Sequence, residues 1–206
     1  MPRVSKAETK KNRGKIQRAS ARLFREQGFK ASLDDVMSAA GLTHGGFYGH
    51  FRSKDALTAD ACATAFAESV ERWRKRIGGT QDRRSAHAAL IEGYLTSHNR
   101  ESMGTSCPIA ALATDVAREA DDKPVRKVFQ EGLEQLLGLL TEVQPPAGVD
   151  ARDAALAELA TLVGAMVLAR ATKGGGLSDE FMKSARRSLL EARENPPAAS
   201  RRNRGR

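Results

Sequence analysis

Aromatic residues make up only 5% of the chain, cysteines number two, and no run approaches the roughly 18 apolar residues needed to cross a bilayer. The few aromatics, with alanine and leucine dominating an apolar share of 40%, argue against a sheet protein and for packed helices. Two cysteines, Cys62 and Cys107, are too few for a disulfide scaffold. The opening MPRVSKAETKKNR has no apolar signal core, so a cytoplasmic location without membrane association is expected. Catalytic signatures are missing too. There is no paired-carboxylate motif, no histidine-based nucleophile arrangement and no phosphate loop. Gly174 to Gly176 lack the Lys-Ser/Thr that such a loop requires. An enzyme is therefore not expected, nor a cofactor. His98 and Cys107 alone, nine residues apart, make too weak a set for a metal.

What is present is unevenly distributed charge. Of the net +9, residues 1–54 carry +8, from twelve Lys/Arg against four Asp/Glu, and the last six residues add four arginines. The long stretch between is slightly acidic. A protein that docks its N-terminal end on phosphates has this pattern, whereas a uniformly basic one does not.

Helical periodicity runs throughout, with no repeat and no strand-like alternation. Residues 8–28 place Ile16, Ala19, Leu23 and Phe24 on one stripe and end at Gly28. Ser32 can cap a second helix with Leu33, Val36, Met37 and Ala40 inward, and Asp34 and Asp35 suit its first turn. Gly41 closes it. Thr43 begins a third helix whose Phe47 and Phe51 point to the core. A long fourth helix runs from Lys54 to about Ile77. Further helices are expected near 82–99, 107–120, 123–143, 150–172 and 178–194, with a polar turn NRESMGTS after the first of them. The sequence predicts an all-α fold of about nine helices. Residues 1–54 form an arm and helix-turn-helix head, 55–194 a larger helical ligand-binding and dimerisation domain with the fourth helix as connector, and 195–206 a disordered basic tail.

Helices two and three have what a major-groove reader needs. Their inner faces are apolar, their N-termini offer amides to phosphate, and His44 and Tyr48 lie on the outward side of the third helix. Residues 21–57, ARLFREQGFKASLDDVMSAAGLTHGGFYGHFRSKDAL, resemble the N-terminal domain of the TetR family of transcriptional repressors, and FYGHFRSKDAL is close to that family's signature. The resemblance implies a homodimer on a palindromic DNA operator, released by a small molecule bound in the C-terminal helices. It places Thr43, Tyr48, His50 and Lys54 as phosphate anchors and His44, Gly45 and Gly46 at base-facing positions; Ser32 joins them as a helix N-terminus. Gly45, Gly46 and Gly49 depart from a good helix former. Either the short helix is clamped firmly enough to tolerate them, or they let backbone approach the groove so that specificity rests on DNA shape and water.

The body is less explicit. Trp73, Tyr94, His98, Met103, Cys107 and Phe129 are ligand candidates by residue type and region, with a core or surface role as the alternative for each. The resemblance implies a four-helix dimer interface from the last two helices, with Leu159, Val163, Met166, Val167, Phe181, Ala185 and Leu189 as candidates; the same stripes also suit an internal core. Cys107, at a helix start in TSCPIAALA, raises a redox- or electrophile-sensing alternative. A ligand-independent architectural DNA binder is another. The arginine tail suits either added nonspecific nucleic-acid affinity or solubility.

Overall fold

The computed structural model describes residues 5–144 and 150–191, and among them every regular element is helical. Helix α1 (Lys6–Gln27) is capped by Ser5 and ends at Gly28, whose φ of 76° and amide bond to the Phe24 carbonyl make the left-handed stop. Helix α2 (Leu33–Ala39) follows and turns at Gly41, φ 69°. A 3-10 segment, His44–Gly49, leads to the long α3 (Lys54–Gly78), capped by Ser53. Then come α4 (Arg83–Tyr94), α5 (Ser97–Glu101), a 3-10 turn at Met103–Thr105, α6 (Pro108–Arg118), α7 (Pro124–Glu142), α8 (Ala151–Ala171) and α9 (Gly176–Glu191).

Two sequence expectations need correction. The third helix is a 3-10 segment of six residues, not an α-helix. Three of its six residues are glycine, a poor α-helix former, and i→i+3 bonds stand at both its ends, from the Gly46 amide to the Thr43 carbonyl and from the His50 amide to the Phe47 carbonyl. The segment predicted as one helix over 82–99 followed by a polar turn is instead broken at Leu95. Helix α5 starts at Ser97, capped by the Thr96 hydroxyl, and takes up part of that turn. The tail at 195–206 and residues 145–149, between the helices expected at 123–143 and 150–172, lie outside the described residues.

Helix α3 is the spine. It packs on α1 in the head and on α7 and α4 in the body, and α8 pairs with α7 and α9. The core runs through without interruption, from Ile16, Phe24, Phe47 and Phe51 to Phe66, Trp73, Leu136, Leu140 and Leu162. At Gly132 the α3–α7 packing is so close that a Cβ would stand 2.2 Å from the Phe66 ring.

Helix α8 amends a further expectation. It is long and apolar enough, by length and composition, to cross a membrane, although only 39% of its most apolar window is buried in this chain. Between Asp153 and Arg170 its one charged residue is Glu158, which turns inward. There the Glu158 carboxylate meets His87 Nε2 at 2.8 Å and accepts from Gln144 Nε2 at 3.1 Å. The outer face is left uncharged, with Leu156, Val167 and Leu168 exposed.

Candidate nucleic-acid interface

The head is held by a chain of local bonds that the sequence partly announces. Ser32 and Asp35 form a reciprocal capping box. The Asp35 amide donates to the Ser32 hydroxyl oxygen at 3.0 Å, while the Ser32 amide and hydroxyl donate to the Asp35 carboxylate at 3.2 and 2.6 Å. These bonds, the hydroxyl's foremost, hold the Asp35 carboxyl below its ordinary range. The Ser32 hydroxyl is thus occupied in the cap, and what α2 presents outward is its N-terminal end rather than that side chain.

Phe47 and Phe51 fasten the reading segment from below. Both rings are buried and stack at 5.9 Å, and Tyr48 packs edge-on against Phe47 at 5.1 Å while remaining 69% exposed. Arg13 supplies a tie that the sequence gives no signal for. Its guanidinium lies 4.2 Å over the Phe51 ring, donates to the His50 carbonyl and reaches Asp60 at 3.3 Å. One arginine thereby joins α1, the end of the 3-10 segment and α3.

The predicted contact residues fall on or beside this segment. Thr43 stands at its N-terminal cap position with no side-chain capping bond. His44 is exposed, but Nδ1 is paired with the Asp34 carboxylate at 2.6 Å, which orients the ring. A Cβ on Gly45 or Gly49 would meet nothing within 4 Å, and one on Gly46 only the Met37 methyl at 3.7 Å. His50 is half-buried and its Nδ1 has no partner; it borders a recess of about 320 Å³ with Thr9, Asn12, Thr43, Gly46 and Gly49. Lys54 opens α3 at the far side.

In the body, the structure does not bring the six ligand candidates together. Trp73 and Tyr94 are buried and meet edge-on at 6.4 Å, and Cys107 is buried at the N-cap of α6. Phe129 is half-buried against Phe66, 5.3 Å away, while His98 and Met103 are exposed. Around Cys107, sequence reasoning missed a convergence of arginines. Arg25 Nη1 and Arg72 Nη2 donate to the Ser106 carbonyl at 3.4 and 3.5 Å, and Arg170 Nη2 donates to the Ser106 hydroxyl. Arg25 is neutralised by Glu68 at 2.7 Å. Burial lowers the pKa of Arg72, aided by the Arg25 charge, and burial also lowers that of Arg170. Positions 81, 64 and 34 residues apart in sequence leave no local pattern by which to find this cluster.

Of the dimer candidates, Leu159, Met166 and Ala185 are buried within the protomer, Val163, Phe181 and Leu189 are half-buried, and Val167 is exposed. The first three already pack inside this chain, so they belong to its core.

Residues 16–61, which span α1, α2, the 3-10 segment and the start of α3, match the family model described as bacterial regulatory proteins, tetR family. The N-terminal domain of this chain is that of the TetR family of transcriptional regulators. Over 61 residues it is 36% identical to the uncharacterized HTH-type transcriptional regulator YerO of Bacillus subtilis (strain 168), a match covering 29% of this chain and 21% of that relative. The chain thus aligns with about a fifth of YerO's length. The fold extends over nearly the whole chain. A TetR transcriptional regulator from Chloroflexus aurantiacus superposes with a TM-score of 0.76 at 24% identity, covering 92% of this chain and 97% of the other. The reduced form of E. coli NemR gives 0.75 at 18% identity, covering 87% and 96%. The all-α TetR architecture is therefore shared, while the body's sequence is not.

Proposed function

We propose that this TetR-family regulator is a ligand-responsive repressor that binds a palindromic DNA operator as a homodimer and releases it when a small molecule enters the helical body. The observation that carries the reading is the head itself. A buried Phe47–Phe51 clamp holds exposed Tyr48 and Thr43 and half-buried Lys54 around one segment, at the end of the chain where positive charge collects. Phosphates position such a head and base edges specify it. The division into a head at 1–54 and a body at 55–194 belongs to the same proposal. Dimerisation is supported by the uncharged outer face of α8, where Leu156, Val167 and Leu168 are exposed together with Leu177 of α9. A two-fold protein on half-sites one DNA turn apart also explains why a single small head suffices. Unbiased selection from random DNA tests the reading: a two-fold symmetric site should be enriched, and binding indifferent to sequence would favour an architectural DNA binder instead.

One observation favours a second reading, in which Cys107 senses electrophiles or oxidants. Cys107 stands at the N-cap of α6 with no side-chain capping bond, next to the Ser106 carbonyl and hydroxyl on which Arg25, Arg72 and Arg170 converge. An electrophile that abolishes DNA binding by the wild type but not by Cys107→Ser would support sensing; equal responses would contradict it.

A further inference from the structure

The arginine cluster behind Cys107 holds more positive charge and more donors than the chain satisfies. Arg25 has Glu68. Arg72 Nη2 is engaged by the Ser69 hydroxyl at 2.7 Å, with Glu68 as the nearby carboxylate. Arg170 has no carboxylate partner among the described residues: Nη2 serves the Ser106 hydroxyl and the Asn99 carbonyl, the latter at 2.8 Å, while Nε and Nη1 are buried without any partner. The Tyr94 hydroxyl is in the same position. The residue is only 2% exposed, and its hydroxyl has no oxygen or nitrogen partner among the described residues, with the Cys107 thiol as its polar neighbour and Arg170 nearby.

Buried donors without acceptors are rare because each forfeits its hydration and gains nothing in exchange. Here two N–H groups of one guanidinium and one phenol share a site, with a second guanidinium, Arg72, beyond the thiol. That set wants an acceptor-only, negatively charged group. The Nη1 group of Arg170 and one hydroxyl match the two oxygens of a carboxylate, whereas a phosphate would leave further oxygens to satisfy. The strap Ser102–Ser106 covers this region, with Met103 and Thr105 exposed on its outer side, and it is fixed by the same arginines. Because Arg25 belongs to α1, an anion drawing on Arg170 acts beside a contact between head and body.

We infer that the body contains a carboxylate site in which Arg170 Nη1 and the Tyr94 hydroxyl bind the acid group of a small organic molecule. That this molecule is the effector rests on the function proposed above.

The sole tryptophan, Trp73, packs against Tyr94 and reports on the site directly. Full-length protein is titrated with sodium acetate, sodium benzoate or inorganic phosphate against sodium chloride at constant ionic strength, following Trp73 fluorescence. The expected result is a saturable change with a carboxylate, weakened at least tenfold by Arg170→Gln and several-fold by Tyr94→Phe, and unchanged by Arg187→Gln on the exposed side of α9. Arg170 also holds Ser106, so its variant tests folding as well. Tyr94→Phe removes only a hydroxyl whose polar neighbour in the chain is the weakly bonding Cys107 thiol, and keeps the test decisive. A non-saturating response, a response to phosphate alone, or equal affinity in Tyr94→Phe and wild type would overturn the site. The same samples are assayed on a selected DNA site. Carboxylate binding that leaves DNA affinity unchanged would overturn the effector role. Carboxylate binding by a protein that selects no DNA would contradict the regulator reading and support the site.

Discussion

Tyr48 and Lys54 carry the most direct residue-scale consequence. Tyr48 is exposed while Phe47 beside it is buried, so Tyr48→Ala should weaken DNA binding and leave thermal stability nearly unchanged. Lys54→Ala should weaken all sequences alike and lower the salt slope of binding by about 1, measurable by titration across salt concentrations. Ser32 is different, because its hydroxyl is committed to the capping box. Ser32→Ala should cost about 1 kcal/mol in denaturant unfolding. The loss should depend on pH. The Asp35 pKa is depressed in the folded state, so its contribution is present above the unfolded value of about 3.9 and disappears as pH falls through the folded one. Wild type and variant should therefore converge in stability on acidification below about pH 4. Equal differences at pH 7 and pH 3 would contradict the role assigned to the cap.

At the scale of elements, the 3-10 segment and the α3–α7 crossing give opposite expectations for adding one methyl group. Gly45 and Gly49 have open space at the Cβ position, so alanine at either should leave stability unchanged or raise it by roughly 0.4–1 kcal/mol through the unfolded chain. If DNA affinity then falls, the glycines serve close approach of backbone to the groove; if it holds, they are tolerated by a well-clamped segment. Gly132→Ala should destabilise by about 1–3 kcal/mol, because the methyl group drives into the Phe66 ring between α3 and α7. Chemical denaturation separates these cases. Ends and clamps were legible in sequence, since Gly28, Gly41, Ser32, Phe47 and Phe51 act through neighbours a few residues away. The 3-10 geometry is not legible in the sequence, although the three glycines that accompany it are. Arg13 and the arginines at Ser106 were invisible because their partners are distant in the chain. The ligand and dimer candidates shared the same weakness: an apolar helical stripe does not tell the inside of one protomer from a surface between two. Leu159 and Met166 proved to be core.

For the whole molecule, the charge division and the open face of α8 belong together. In the proposed function the basic head docks on phosphate, and the uncharged helix face on the opposite domain is where a second copy packs. Leu168→Glu places a charge on that face without touching the head, so it should shift the protein toward monomer in sedimentation analysis and weaken binding to a two-fold DNA site. Retained dimerisation would move the interface elsewhere. The central claim, that this chain reads a specific two-fold DNA site through the segment between Thr43 and Lys54, is tested most directly by selection from a random DNA library with the full-length protein, followed by affinity measurement on the selected site and a scrambled one. The account predicts an enriched palindrome bound far more tightly than its scramble, with that preference lost in Tyr48→Ala. Enrichment of no sequence, or equal affinity for both DNAs, would contradict it.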